Sequence, residues 1–185
     1  QKPMQPCKSP AQPRSRITYE AVREAAARIL EGREIDALTT NHVAERAGIS
    51  IGSLYQYFPN KEAILVDLIR ELRSDFLSDI ECAVKQAEGL SLEKAIGIVV
   101  RAAVLHHKRR PNLAAALEDV ERTLPLDAET DELKRRIANY VVHLLVEHGV
   151  SNPMVAAQDT SAITNALVQV AIIRGETDFE AIAVR

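Results

Sequence analysis

The stretch Thr39–Glu62, TTNHVAERAGISIGSLYQYFPNKE, constrains this chain more than any other. A hydroxyl at Thr39 or Thr40 can accept an orphan backbone N–H and so cap a first short helix. Val43, Ala44 and Ala47 give that helix an inner face, and the small Ala44 lets a second helix cross close by. Gly48 ends it, because glycine takes positive φ without a steric cost. Ser50 caps the second helix, whose buried positions are Leu54 and Phe58, four apart. Ile51, Gly52, Ser53, Tyr55 and Gln56 are left facing outward. Pro59 and Asn60 break this helix and cap the next, with Lys61 and Glu62 in its first turn.

Two short helices joined by a glycine turn make a helix-turn-helix, whose second helix is sized for the DNA major groove. The outward residues suit that use. Gly52 and Ser53 leave no bulk between backbone and phosphate, and the helix start offers free N–H groups to an anion. Tyr55 and Tyr57 carry hydroxyls on rigid arms, and Lys61 is a point charge just beyond the helix. The alternative is a hairpin that only packs a core. Two tyrosines, a serine and a glycine make a poor solvated helix face for that purpose.

The segment TTNHVAERAGISIGSLYQYFPNKEAIL closely resembles the DNA-binding signature of the TetR/AcrR family of bacterial transcriptional regulators. The resemblance covers only the DNA-binding third of the chain. It implies a three-helix N-terminal domain, an all-helical ligand-binding and dimerisation domain, and repression relieved by a small molecule. Residue by residue, Thr40, Ser50, Ser53, Tyr55, Tyr57 and Lys61 match phosphate-contacting positions of the family. Ile51, Gly52 and Gln56 match its base-facing positions. The first helix departs a little: Ile29–Leu30 replaces the usual Phe, and the link GREIDAL is longer and more charged.

Hydrophobic content of 46 % with only 4 % aromatic and no Trp favours helices over sheets. The expected fold is all-α with about nine helices. It divides into a basic, proline-rich arm over 1–16, a DNA-binding domain over 17–62, and a helical ligand-binding and dimerisation domain over 63–185. No apolar run approaches the roughly 18 residues that span a membrane. The start lacks the apolar core of a signal peptide, so a cytoplasmic protein with Cys7 and Cys82 reduced is expected. The net charge of −3 splits unevenly. Residues 1–61 hold nine Lys/Arg against six Asp/Glu, and residues 62–185 hold fourteen against twenty. The basic share therefore sits at the DNA-binding end.

Along the chain, Thr18 is the expected cap of a first helix ending at Glu31. A long amphipathic helix follows over Lys61–Ala87, with further helices over Leu92–Lys108, Pro111 to about Leu124, Asp131–His148 and Pro153–Arg174. A capping box, Thr177 with Glu180, predicts a last helix reaching Arg185. The Pro153–Arg174 helix is apolar on more than one side, which calls for two partners, one of them a second subunit. By resemblance, a homodimer forms through the last two long helices.

Polar residues beside apolar stripes mark candidates for an effector site: Arg101, His107, Asn112, Glu118, Glu121, Tyr140 and His143. An apolar or amphipathic small molecule is the expected occupant. No metal site is expected, since adjacent His106 and His107 point about 100° apart on a helix. His143 and His148 do not share a face either. No nucleophile–base pair, phosphate loop or paired carboxylates with a partner His supports an enzyme, and no cofactor is implied. The sequence therefore predicts a ligand-responsive repressor that binds a near-palindromic operator as a homodimer. A helical small-molecule binding protein, with a purely structural hairpin, is the alternative.

Overall fold

The computed structural model describes residues 4–7, 13–32, 37–176, 178 and 181, without the Ile172 side chain. Eight α-helices form among them: α1 (Pro13–Glu31), α2 (Thr40–Ala47), α3 (Ile51–Tyr55), α4 (Lys61–Ala87), α5 (Leu92–His106), α6 (Pro111–Glu121), α7 (Asp127–Glu147) and α8 (Pro153–Ile173). The fold is all-α. The helix expected from the Thr177–Glu180 capping box lies largely outside the described residues.

Several boundaries differ from the sequence reading for identifiable reasons. Helix α1 starts at Pro13 rather than Thr18. Proline lacks only an N–H that the first turn leaves unbonded anyway, so it can open a helix. Thr18 sits inside the helix, and its hydroxyl donates to the Arg14 carbonyl at 3.2 Å. Helix α7 begins at Asp127, where Asp127 and Glu129 in the first turn complement the helix dipole. Helix α5 stops at His106, short of Lys108.

The described residues divide into two compact units, residues 1–72 with 110–125, and residues 73–109 with 126–185. In the first, α1 packs against α2 and α6. Val22, Ala26 and Leu30 of α1 are fully buried, as are Val43, Leu54 and Phe58 of the hairpin. The Tyr19 and Phe58 rings lie 4.8 Å apart. Burial of Tyr19, with a nearby Asp67, pushes its phenol well above the usual range. Arg23 pairs with Asp67 at 3.1 Å and with Glu71, tying α1 to the start of α4. Arg110, the residue before α6, reaches Glu31 at 2.6 Å and Glu24 at 2.9 Å on α1.

In the second unit, Ile80, Ala83 and Ala87 of α4 meet Ala95 and Val99 of α5 and Val141, Leu144 and Leu145 of α7. Three- and four-residue spacings put these positions on single helix faces. Helix α8 lies against α7 and α5. Ala157, Thr164, Val168 and Ala171 form its buried side. The loop before α5 is fastened by His148, whose Nδ1 is 2.9 Å from the Leu144 carbonyl and Nε2 2.9 Å from the Leu90 carbonyl.

Candidate nucleic-acid interface

The hairpin α2–α3 is set by local chemistry. The Thr39 hydroxyl accepts the His42 N–H at 3.2 Å, opening α2. Gly48 closes it at φ 68°, a left-handed conformation that a side chain resists. A Cβ there would meet nothing within 4 Å, so its backbone conformation, not space, selects glycine. The Ser50 hydroxyl accepts the Ser53 N–H at 3.1 Å and caps α3. Asn60 does the same for α4, taking the Ala63 N–H at 2.8 Å.

Leu54 of α3 and Phe58, just after it, are both fully buried, so the hairpin is keyed into the first unit through the two positions the spacing singles out. Ile51, Gly52, Tyr55, Gln56 and Lys61 are exposed, and Ser53 is half-buried. The helix is shorter than expected. It ends at Tyr55, with Gln56 as its C-cap and Tyr57 in the following turn. The Thr40 and Tyr55 hydroxyls lie 3.1 Å apart, linking the start of α2 to the end of α3. Ser50 and Ser53 hydroxyls are 2.8 Å apart, so both sit at one end of α3. Tyr57 is only half-exposed, its ring standing edge-on to Tyr19 at 6.0 Å. It therefore contributes to packing as well as to the outer surface. The backbone of Cys7 donates to the Tyr57 carbonyl at 2.7 Å, placing that residue of the N-terminal segment beside the same turn.

Five hydroxyls (Thr40, Ser50, Ser53, Tyr55 and Tyr57), the bare backbone of Gly52 and the Lys61 ammonium are thus at least partly exposed on the hairpin and just after it. That set can hold phosphate oxygens, while Gln56, with both an amide donor and an acceptor, can address base edges.

The residues named for an effector site are drawn from both units. Asn112, Glu118 and Glu121 belong to the first unit, and Arg101, His107, Tyr140 and His143 to the second. His143 is exposed, with Nε2 3.5 Å from Glu147. Tyr140 packs against the α4–α5–α7 core. His107 stacks loosely near Phe76, ring centroids 6.4 Å apart. Arg101 alone of these lines a cleft of about 480 Å³ between α4 and α5. Asp79, His106 and Arg109, which share that cleft, were not singled out from the sequence. Their signal was recoverable in part: Arg101, Leu105 and Arg109 recur every four residues.

A helix-turn-helix head on an otherwise all-helical chain defines a class, the DNA-binding transcriptional regulators. Residues 22–68 match the family described as bacterial regulatory proteins, tetR family. Over those residues the chain resembles the DNA-binding segment of that family. It is similar to the fatty acid metabolism regulator protein of Bacillus subtilis strain 168, with 24% identity over 132 residues, 71% of this chain and 68% of that protein. Its fold is similar to that of the fatty acid degradation regulator FadR from Bacillus halodurans, with a TM-score of 0.74 and 21% identity over 95% of this chain and 93% of that one. FadR from B. subtilis in complex with stearoyl-CoA gives a TM-score of 0.73 and 22% identity over 89% and 93%.

Proposed function

We propose that this chain is a homodimeric repressor that binds a near-palindromic operator and is released by a small amphipathic effector. The observation that carries the DNA-binding part is the hairpin itself. Leu54 and Phe58 are wholly buried, while Ile51, Gly52, Tyr55 and Gln56 stay exposed on the opposite side. In this reading Thr40, Ser50, Ser53, Tyr55, Tyr57 and Lys61 hold phosphates, and Ile51, Gly52 and Gln56 face bases. Residues 17–62 act as the DNA-binding domain and residues 63–185 as the effector and dimer domain. The protein works in the cytoplasm, where its operator is.

The dimer rests on α8. Its side opposite the buried Ala157–Val168–Ala171 row exposes Val155, Ile163, Val170 and Ile173, at 56%, 61%, 41% and 81%. Exposed Ala162 and Ala166 lie among them. A row of large apolar side chains with small residues between them suits a helix of a second copy, related by two-fold symmetry. A two-fold dimer presents two α3 helices to half-sites about one helical turn apart.

An effector would act by binding one of two arrangements of α4 and α6 more tightly than the other. Helix α4 is continuous from the first unit into the second, with its residues divided between them at Leu72. A similarly folded regulator solved with stearoyl-CoA supports an amphipathic effector. Sedimentation of the protein with a selected duplex tests the assembly: two protomers per operator are expected. Ile163→Glu should give monomers with much weaker operator binding, and a monomer that retains full affinity would overturn the reading.

A further inference from the structure

We propose that the α4–α5 cleft of the second unit is a binding site for an organic anion with an apolar body. The cleft holds about 480 Å³, within the range of small-molecule sites. Two arginines, Arg101 and Arg109, and one carboxylate, Asp79, line it, a formal charge of +1 before His106 is counted. Ile98 and Leu105 supply an apolar wall on α5, and Ala83 and Ala102 leave room beside them.

The charged end is built rather than incidental. Asp79 Oδ2 lies 2.8 Å from His106 Nδ1, and Asp79 Oδ1 accepts from Arg109 Nη2 at 2.7 Å. The His106 ring is buried, and its other nitrogen, Nε2, is enclosed with no hydrogen-bond partner among the described residues. Arg109 bonds Asp79 through one nitrogen, while a guanidinium carries five N–H donors in a planar fork. Its side chain is 59% exposed, so the remaining donors are accessible from solvent.

The arrangement assigns the acidic head of a ligand to Arg109 and Arg101 and its apolar body to the Ile98–Leu105 wall. Asp79 is then a resident competitor for Arg109 as well as the residue that orients His106. Carboxylate and phosphate heads both satisfy a guanidinium fork. The proposal deepens the effector reading above and rests on it for its regulatory meaning.

The chain has two cysteines, and Cys82, exposed, lines this cleft. In a Cys7→Ser chain, alkylation of Cys82 by iodoacetamide therefore reports occupancy directly, with no DNA present. The probes are decanoate, decyl phosphate, decanol and decyltrimethylammonium. One or both acids should slow alkylation several-fold and saturably, and the stronger of the two identifies the head as carboxylate or phosphate. Decanol and the ammonium should have little effect at the same concentration. Arg109→Gln should raise the half-protecting concentration about tenfold, the loss expected for a charge-assisted hydrogen bond. Asp79→Asn should lower it, a gain that misfolding cannot imitate. No protection by either acid, equal protection by decanol, or no response to both substitutions would overturn the site. Because the assay omits DNA, its failure and a failure of operator binding are separate results.

Discussion

The hydroxyls of Thr40 and Tyr55 stand 3.1 Å apart, fifteen residues apart in sequence, where the start of α2 meets the end of α3. One contact thus links the two helices of the hairpin and, in the proposed reading, holds two phosphate-contacting hydroxyls together. Tyr55→Phe is expected to weaken binding to every duplex alike, by roughly 1 kcal/mol for the lost hydrogen bond. Anisotropy titrations against preferred and scrambled duplexes check this; a changed sequence preference would argue that Tyr55 reads bases.

Lys61 and Gln56 should separate by the kind of loss they produce. Lys61→Ala should lower affinity uniformly and reduce the salt slope by about one ion. Gln56→Ala should alter the preferred bases and leave the slope alone. Repeated selection with each variant distinguishes them, and an unchanged consensus for Gln56→Ala would remove it from the base-facing set.

Gly48→Ala should destabilise the protein by about 1–2 kcal/mol, the cost of left-handed backbone for a residue with a Cβ. Nothing lies within 4 Å of the added carbon, so Gly48→Asn, which tolerates that conformation better, should recover part of the loss. Denaturant midpoints of the three proteins give the answer. Equal losses for Ala and Asn would mean crowding rather than backbone strain.

His148 predicts a pH effect. Carbonyl oxygens carry no hydrogen, so both ring nitrogens must donate, which the imidazolium alone can do. The Leu90 carbonyl, then the Leu144 carbonyl, raise its pKa above the usual 6.5, and the neighbouring Glu147 adds to the rise. A raised folded pKa means stability present in full below the unfolded value, lost as pH climbs through the folded one. The melting temperature of the parent should therefore exceed that of His148→Gln most clearly below about pH 6.5 and converge with it in alkali. A gap that widens with rising pH would contradict the donor assignment.

What the sequence made legible was short-range. Gly48, Ser50, Asn60 and the Leu54–Phe58 pair each act within a few residues of themselves, and a single chain displays such signals. Pro13 misled because a proline reads as a breaker unless the first turn is known to begin there. The Asp79–His106 pair, 27 residues apart, and the Arg110–Glu24 pair, 86 apart, depend on how helices meet. Periodicity cannot supply that. Helix α8 was legible as two-sided, but which side faces inward depended on its contacts with α5 and α7.

The central claim, a two-fold DNA reader, is tested most directly by selection from a random duplex pool at moderate salt. The winning duplex is then titrated by anisotropy across a salt series. The account predicts a near-palindromic winner with half-sites about one helical turn apart and affinity falling steeply with salt. No enrichment, or binding indifferent to salt, would contradict it.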